Sequence, residues 1–580
     1  MSSDSVIIGK NIIEILTTGM YHNPLVIFRE YVQNSVDAIN EAVSRGILED
    51  VSEGYVQIVV DKEKKRIFFE DNGVGVSRKN AWQILTSIAA SGKDRTKNLG
   101  FRGIGRLAGL AYCDELIIET SFKGEATKTV LQWDGQKLKE IIADKKDRKR
   151  ASEVIEAITA IDDGVMEQEG EHYFKVTLEE VKNTKLLDVD EVERYLRMVA
   201  PVDFCSPKLI LTPKIKEGLI KKGISPKSYR VFVNESQLFK SYRGGVYKEA
   251  KKQEKRLDDV IDIRFFDLYS IENKLLAVGW YTLTKNMQLI PVVNEARGIR
   301  FRKGNIQVGD EVTLQRFFQD KRFHHYFFGE IHVVHEELFP NGQRDYFDEC
   351  ELLSEFEAEL DELTNKLHKL CRKASDWNRF EKQVSAYAIG KEKYNDLLKT
   401  TGFYGPNHEK EEKSKLDLLE EAAKQAQKEL ERIKKYAEDD EDLKRFIEYR
   451  LGEKIVPSHE NREKEKRNSL EIAGEQLQKH PKNVEKDTKA SEPVKCSPGQ
   501  VNYSEPDANK QEKKEQAHKK IPSKKNGRKY ITSGLTKLTK KEQKIVGEIL
   551  EISRIILPPD LQQNLFAKIE ERFKLTKFHE

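Results

Sequence analysis

Cysteine is scarce in this sequence. Only five of the 580 residues are cysteine, and none of them has the close spacing that a zinc site needs. The positions are Cys113, Cys205, Cys350, Cys371 and Cys496. This odd number of well-separated thiols excludes a disulfide-bonded secreted scaffold and predicts reduced cysteines in a cytoplasmic protein.

Long hydrophobic runs are also missing. No stretch approaches the ~18 consecutive apolar residues that read as a membrane-spanning helix. The first residues, Met1 to Asp4, do not begin a basic region followed by an apolar core, so no secretory leader is predicted. We therefore expect a cytoplasmic protein without a membrane partner.

An excess of one charge sign is absent as well. The chain has 101 Lys and Arg residues against 98 Asp and Glu residues, a formal net charge of +3. This balance does not favour a general nucleic-acid polycation. The charged fraction of 34% and the apolar fraction of 38% depart from the ~25% and ~45–50% of ordinary globular domains. Part of the chain is thus expected to be unpacked or to form charged surface helices.

Changes of pattern along the chain predict five segments. Residues 1–190 and 191–350 each mix helical and strand patterns, which predicts two α+β domains. Residues 351–455 carry leucines at steps of three or four between charges, typical of a helical bundle or a coiled coil. Residues 456–530 are too polar to bury a core and are predicted to be a disordered linker. Residues 531–580 are expected to form a C-terminal helical hairpin.

The first motif is a helix that carries carboxylates and a carboxamide. Apolar residues recur at helical spacing over residues 25–45. Glu30, Asn34 and Asp37 occupy positions i, i+4 and i+7 of that helix, so they share one face. Taken alone, this segment is more readily an amphipathic helix with a solvated polar face.

The second motif follows a predicted hairpin of strands at Tyr55–Val60 and Arg66–Phe69. The second strand leads into Asp71, and Gly73 and Gly75 come next. A carboxylate at a strand end can accept a hydrogen bond from an exocyclic amine, and glycines let a ligand approach the backbone closely. A plain Asp-Asn-Gly turn explains this segment about as well.

The third motif is a glycine-rich segment that runs into the apolar stretch 107–111. Its backbone N–H groups, at a helix N-terminus, could bind phosphate. It does not fit the Walker pattern, and such a loop alone is weak evidence. The candidate residues are Ser91, Gly92, Gly100, Arg102, Gly103 and Gly105.

In this order and spacing, the three motifs resemble the GHKL ATPase superfamily. That superfamily includes heat-shock protein 90 (HtpG in bacteria), MutL, type II topoisomerases, histidine kinases and MORC proteins. For residues 1–190 the resemblance implies a Bergerat-type α/β sandwich that binds ATP and Mg²⁺. It covers about residues 1–350, and the segments beyond carry no resemblance.

The resemblance also implies roles for single residues. Glu30 is expected to be the general base that activates the attacking water. Asn34 is expected to be the Mg²⁺ ligand, and Asp37 a polar group near the nucleotide. Asp71 would recognise adenine, and the two glycines after it would shape the pocket floor. The glycines of the third motif would form a lid over the phosphates, with Arg102 as a phosphate contact.

One position departs from the superfamily pattern. Many members carry Gly-Thr before the late strand of this domain, and the threonine lies near adenine. In the corresponding register this sequence has Phe174, so adenine recognition is expected to be packed differently here.

A candidate catalytic cation lies in the second segment. The stretch Leu338–Asp345 is similar to a Pro/Asn-rich turn of heat-shock protein 90 whose arginine reaches ATP. Arg344 is the matching residue, and a guanidinium there would stabilise the charge of the transferring phosphoryl group. A structural Arg–Asp surface turn is the plainer alternative.

The expected function is that of a heat-shock-protein-90-like, ATP-hydrolysing clamp, working as a homodimer on a protein client. A histidine kinase is disfavoured because the domain is N-terminal and carries Glu30. The alternative is a MutL- or MORC-like clamp on DNA, which the basic segment 513–529 would contact. A third possibility is a scaffold that binds ATP without hydrolysing it.

Overall fold

The computed structural model describes residues 8–15, 23–88, 105–205, 207–250 and 253–452. The predicted α+β class is confirmed, because two β-sheets are combined with helices and followed by long helices. The predicted linker 456–530 and the predicted hairpin 531–580 lie outside the described residues.

The strands fall into two groups, one for each sheet. The first sheet contains β1 (Tyr55–Asp61), β2 (Arg66–Asp71), β3 (Glu115–Ser121), β4 (Thr127–Asp134), β5 (Thr159–Met166), β6 (Tyr173–Glu179), β7 (Arg230–Val233) and β8 (Ser236–Gln237). The second contains β9 (Gly245–Ala250), β10 (Gln253–Tyr269), β11 (Leu275–Thr284), β12 (Gly298–Lys303), β13 (Ile306–Val308) and β14 (Phe328–Val333).

Among the described helices, the two longest are α8 and α9, which both follow residue 350. The α-helices are α1 (Asn11–Glu14), α2 (Val26–Ser44), α3 (Arg78–Thr86), α4 (Gly135–Ala143), α5 (Ala151–Ile158), α6 (Val189–Val199), α7 (Thr212–Lys221), α8 (Glu351–Asp396), α9 (Pro406–Tyr436) and α10 (Glu441–Arg450). Short 3₁₀ helices span Gly105–Ala111, Thr184–Leu187, Thr313–Phe317, Lys321–Tyr326 and Ala437–Asp439, and a π-helical turn spans Leu397–Thr401.

The first sheet has eight strands in the order β5-β4-β3-β6-β2-β1-β7-β8. Buried positions alternate along β2, so one face is apolar, and α2 packs against it with its own apolar residues. The opposite face carries ion pairs such as Lys128–Glu119 and Arg66–Glu179. This division is the usual one for a sheet with one face on the core and one on solvent.

The first sheet continues past the predicted domain boundary at residue 190. β7 pairs in parallel with β1, and Tyr55 lies opposite Arg230. Residues on both sides of that boundary therefore share one sheet. The segment boundaries themselves stay predictions.

The second sheet has six strands in the order β13-β12-β14-β11-β10-β9. Its core includes residues of α8 and α10 as well as strand residues. Asp442, near the start of α10, accepts hydrogen bonds from Tyr281 Oη at 2.5 Å and Arg264 Nε at 2.5 Å. These contacts attach the end of the described chain to the second sheet.

The long helices α8 and α9 form an antiparallel pair. Lys393 lies 3.3 Å from Glu412 near the turn, and Lys373 lies over the ring of Tyr436 at the other end. Buried residues are frequent in the first half of α8 but sparse in α9. The predicted 3–4 residue leucine pattern thus corresponds to packing on the second sheet and between the two helices.

Candidate functional site

The first site element is the polar face of α2. Helical spacing brings Glu30, Asn34 and Asp37 onto one face, as predicted. Glu30 and Asp37 are buried and Asn34 is half-buried. A plainly solvated face is therefore wrong for this helix, because two of its carboxylates are withdrawn from water.

Glu30 lies between two arginines. Its Oε1 atom is 3.2 Å from Arg29 Nη2 and 3.2 Å from Arg344 Nε. Glu30 is only 5% exposed and Arg344 only 9%. Since water screens buried charges weakly, the two guanidinium groups supply the charge compensation that a buried carboxylate needs.

Arg344 projects from a strained turn. Its φ is +57°, the left-handed region that non-glycine residues seldom occupy. Arg344 N donates to Asn341 O at 3.0 Å, and Gly309 N donates to Arg344 O at 2.8 Å. Backbone strain of this kind persists where the surroundings hold it, commonly at functional sites.

Arg29 ties the turn to α2. Its Nη2 group donates to Gln343 O at 3.1 Å and to Glu30 Oε1 at 3.2 Å. Adjacent helix residues do not normally face each other, so Arg29 bends toward its neighbour while reaching the turn. This residue was not predicted, because nothing in the local pattern marks it.

Tyr195 of α6 lies near Arg29 and Glu30. Burial raises the pKa of Tyr195, with Arg29 acting against the rise and Glu30 adding to it. Its phenol therefore stays neutral and able to donate a hydrogen bond. The sequence offered no signal for Tyr195 either.

The second motif forms a tight connection against α2. Asp71 is buried at the end of β2, and its Oδ1 atom accepts a hydrogen bond from Gly73 N at 2.9 Å. Val74 N donates to Ala38 O of α2 at 3.2 Å. The predicted carboxylate and the predicted helix are thus joined directly.

Both glycines of this motif are required by space. A Cβ atom on Gly73 would lie 2.6 Å from the Cβ of Ala38. Gly75 has a φ of +67°, and a Cβ there would lie 1.9 Å from Ser121 O. Any side chain at either position would displace the backbone, so both glycines are required where this connection packs against α2 and β3. Close approach of a ligand to these glycines stays a prediction.

Phe174, where the sequence departs from the superfamily pattern, lies beside Asp71 in the first sheet. Phe174 is the register partner of Asp71 on one side and of Thr120 on the other. Thr120 Oγ1 accepts a hydrogen bond from Val76 N at 2.8 Å and donates to Tyr173 O at 3.0 Å. Thr120 therefore provides a hydroxyl next to Phe174, and both hydrogen bonds of this hydroxyl are made to backbone groups.

His172 contacts the backbone of the connection that follows Asp71. Its Nδ1 atom lies 2.9 Å from Gly73 O, and because a carbonyl only accepts, Nδ1 is the N–H donor. Neither His172 nor Thr120 was predicted, since the three-dimensional register brings them to this loop.

Most of the third motif lies outside the described residues. This holds for Ser91, Gly92, Gly100, Arg102 and Gly103. Gly105 begins the 3₁₀ helix Gly105–Ala111. That helix is anchored to α2, since Gly109 N donates to Tyr31 Oη at 3.2 Å.

Comparison with known proteins agrees with this geometry. The sequence profile of the family described as "Histidine kinase-, DNA gyrase B-, and HSP90-like ATPase" matches residues 22–164. The N-terminal region is a GHKL-type ATPase domain. The match contains α2, β2 and the connection between them, which are the parts that the motifs predicted.

Relatives in curated collections match the same region. The chaperone protein HtpG of Psychrobacter arcticus is 30% identical over 139 residues, 21% of this chain and 21% of the relative. The protein of the same name from Acinetobacter baylyi is 28% identical over 139 residues, 21% of this chain and 22% of the relative. The chain thus spans about a fifth of the length of the curated relatives it matches.

Across the described ranges, no group of three or more His, Cys, Asp and Glu residues could hold a metal ion. Asn34 offers one amide oxygen on the face that also carries Glu30. This donor set fits a hard cation held mainly by phosphate oxygens and water.

Proposed function

We propose that this protein binds and hydrolyses ATP and works as a heat-shock-protein-90-like conformational clamp on a protein client. The observation that carries the proposal is the contact between the two domains at Glu30. A cation from the second domain, Arg344, lies 3.2 Å from the carboxylate of the GHKL helix. Hydrolysis would then require both domains together.

The side chains of α2 and β2 have different roles in this proposal. Glu30 accepts the proton of the attacking water as general base. Asp71 accepts a hydrogen bond from the adenine amine. Gly73 and Gly75, which let the connection pack closely on α2 and β3, would shape the floor of the nucleotide pocket. Asp37 is the further polar group near the nucleotide. The lid residues predicted from the third motif complete the phosphate site.

The magnesium site would use one side chain. Asn34 contributes its amide oxygen, while the nucleotide and water supply the other oxygen ligands. When bound, Mg²⁺ neutralises the charge that develops on the phosphates. Asn34 sits one turn after Glu30, so the proposed metal ligand and the proposed base would act on the same phosphate group.

The arginines link binding to movement. Arg29 and Arg344 both pair with Glu30, and a γ-phosphate would compete for them with a higher charge. Transfer of Arg344 to the phosphate would free Glu30 for the water. Since each turnover then requires a rearrangement between domains, slow turnover is expected.

Partners remain at the level of proposal. The relatives are named chaperones, which supports a protein client, and we expect a homodimer in the cytoplasm. Within the described ranges, no helix is long and apolar enough to cross a membrane.

The alternative is a MutL- or MORC-like clamp on DNA. It rests on the basic segment 513–529, which lies outside the described residues. Such a segment would give binding that weakens steeply with salt. A scaffold that binds ATP without turnover is the third possibility, and the buried, paired Glu30 argues against it.

Steady-state hydrolysis of Mg²⁺-ATP tests the proposal. Wild type is compared with Glu30→Ala and with Glu41→Ala, which removes a more exposed carboxylate of the same helix. We expect Glu30→Ala to lose on the order of 10³-fold in rate and Glu41→Ala to match wild type. Equal turnover in Glu30→Ala and wild type would refute the assignment.

Duplex DNA and nucleotide binding complete the test. Turnover that is indifferent to DNA favours the protein clamp, whereas stimulation that fades with salt favours the DNA clamp. Asp71→Asn should weaken ATP binding, and Asp61→Asn, at the other end of the hairpin, should not. Unchanged affinity in Asp71→Asn would contradict the adenine assignment.

A further inference from the structure

A cavity lies between the GHKL domain and the second sheet. It has a volume of about 810 Å³ and is lined by the start of α2 with Arg29, by α6, by loops next to β12 and β13, and by the turn that carries Arg344. Asn34 and Asp71 are not among its lining residues. Its volume is in the range of small-molecule sites, about 300–1,000 Å³.

Arg300 of β12 forms part of the wall and is buried with its charge. It is 5% exposed, and its guanidinium donates to Gln307 Oε1 at 3.1 Å and to Glu295 O at 2.5 Å. In the part of the chain that the structure describes, its Nε atom has no hydrogen-bond partner. Among the described residues, no carboxylate lies within 4.0 Å of this side chain.

Arg302, two residues along the same strand, shows the contrast. It is fully buried, and its Nε group donates to Glu330 Oε1 at 2.7 Å. The chain therefore supplies Arg302 with a counterion and leaves Arg300 with neutral partners. A buried cation without a counterion is costly, and burial accordingly lowers the pKa of Arg300, although Glu311 and Asp310 act against the change.

The acidic groups of the cavity are partly engaged elsewhere. Glu295 accepts a hydrogen bond from Ser241 Oγ at 2.5 Å and lies 3.6 Å from Arg194. Asp310 accepts from Val312 N at 2.9 Å. Glu311 and Asp310 act on Arg300 and raise its pKa against the effect of burial, but among the described residues neither forms an ion pair with it.

A neighbouring arginine strengthens the positive field. Arg297 lines the cavity and forms no ion pair with any described residue. Burial first and Arg297 next lower the pKa of His325, and Arg300 acts in the same sense, against Glu311. The potential near the two arginines therefore favours an anion.

We propose that this interdomain cavity binds a small phosphate-bearing anion, with Arg300 as the buried counter-charge and Arg297 at its edge. A guanidinium matches the oxygen geometry of phosphate, and a doubly charged anion gains most from it. The source is either inorganic phosphate or a larger organic phosphate. Arg29 and Arg344 also line this cavity and are shared with the proposed catalytic site, whereas Arg297 and Arg300 have no role in the proposed nucleotide pocket.

Isothermal titration without nucleotide tests the site. The full chain carrying Asp71→Asn, which disables the proposed adenine contact, is titrated with inorganic phosphate and with pyrophosphate. Binding equal to that of wild type is expected, and adding Arg300→Gln should weaken it at least tenfold. Arg322→Gln, which changes an exposed arginine paired with Asp320, is the matched control and should bind as before.

The outcomes separate the sources and the alternatives. Binding of inorganic phosphate identifies the free ion as sufficient, and binding of pyrophosphate alone points to an organic phosphate. No binding of either, loss of binding in Asp71→Asn alone, or equal affinity in Arg300→Gln overturns the proposal. Because no nucleotide is present, a protein without ATP turnover would leave this result intact.

A folding defect in Arg300→Gln is covered by a second variant. If its unfolding midpoint falls below the assay temperature, Arg297→Gln decides, because this side chain lies at the edge of the cavity. Binding at least threefold weaker than in the Arg322→Gln control supports the site, and unchanged binding overturns it.

Discussion

Two buried glutamates, Glu30 and Glu330, each pair with two basic side chains, and the two sites can be compared directly. Glu30 lies beside Arg29 and Arg344, at 5% exposure. Glu330, in the second sheet, is fully buried, and it accepts hydrogen bonds from Lys240 Nζ at 3.0 Å and Arg302 Nε at 2.7 Å. The chemistry is nearly the same in both regions.

The difference lies in what holds the partners. Lys240 and Arg302 are both almost completely buried, and Lys240 is also fixed by Asn305 Oδ1 at 2.8 Å. Arg344 instead projects from a strained turn beside a cavity. A carboxylate with fixed partners stabilises a fold, whereas one with a movable partner can exchange it for a ligand.

The largest expected effect is on Glu330. Glu330→Gln leaves two buried cations without a counterion, so we expect the free energy of unfolding to fall by about 3–5 kcal/mol. Urea denaturation followed by circular dichroism measures this. Glu254→Gln, which removes an exposed pair with Arg243, should cost less than about 1 kcal/mol. Equal losses of unfolding free energy in the two variants would show that the buried ion pairs of Glu330 stabilise the fold no more than an exposed pair does.

The same variant has a pH signature. Burial alone would raise the pKa of Glu330, but Arg302 and Lys240 outweigh it and hold the pKa well below the ordinary 4.5. Because the folded pKa is the lower one, the stabilisation is present above about pH 4.5 and is lost as the pH falls. The difference between wild type and Glu330→Gln should therefore shrink on acidification.

The next effect is on Arg344. Arg344→Ala should lower kcat on the order of 10²-fold, about 2.7 kcal/mol, because one charge on the transferring phosphoryl group is lost. ATP affinity, measured by titration, should change much less than kcat. Arg322→Ala serves as the control for loss of an exposed arginine. An unchanged kcat in Arg344→Ala would make its contact with Glu30 purely structural.

The smallest expected effect is on the link between α2 and the chain before β7. Asn40 Oδ1 accepts hydrogen bonds from Tyr229 Oη at 2.9 Å and from Lys227 Nζ at 3.2 Å. Asn40→Ala should lower the free energy of unfolding by about 1 kcal/mol. Asn365→Ala, which loses an exposed contact with Gln319, should have a smaller effect. A thermal unfolding midpoint identical to that of wild type would show that Asn40 does not stabilise the contact between α2 and the chain before β7.

Local pattern predicted the elements that carry the site. Apolar spacing gave a helix over 25–45, and the structure has α2 at Val26–Ser44. The predicted strand Arg66–Phe69 is β2, which extends to Asp71. These predictions were accurate because helix and strand periodicity are properties of neighbouring residues.

Contacts between distant segments could not be predicted in this way. Arg29 was not predicted because its partner Gln343 is remote in the sequence and meets it only in the folded chain. Arg300 and Arg302 of β12 are buried, although a run of basic residues in a sequence is more often solvated. Charge alone did not show that Glu330, from another strand, neutralises one of them.

The sequence by itself determined the GHKL motifs, their order and the helix that presents Glu30, Asn34 and Asp37. Spacing along a helix or strand sets these, and no distant contact is needed. The tertiary structure alone decided that Arg344 meets Glu30 and that Arg302 pairs with Glu330, while Arg300 has no counterion among the described residues. The physical reason is that the energy of a buried charge depends on which groups surround it, and folding chooses those groups from remote parts of the chain.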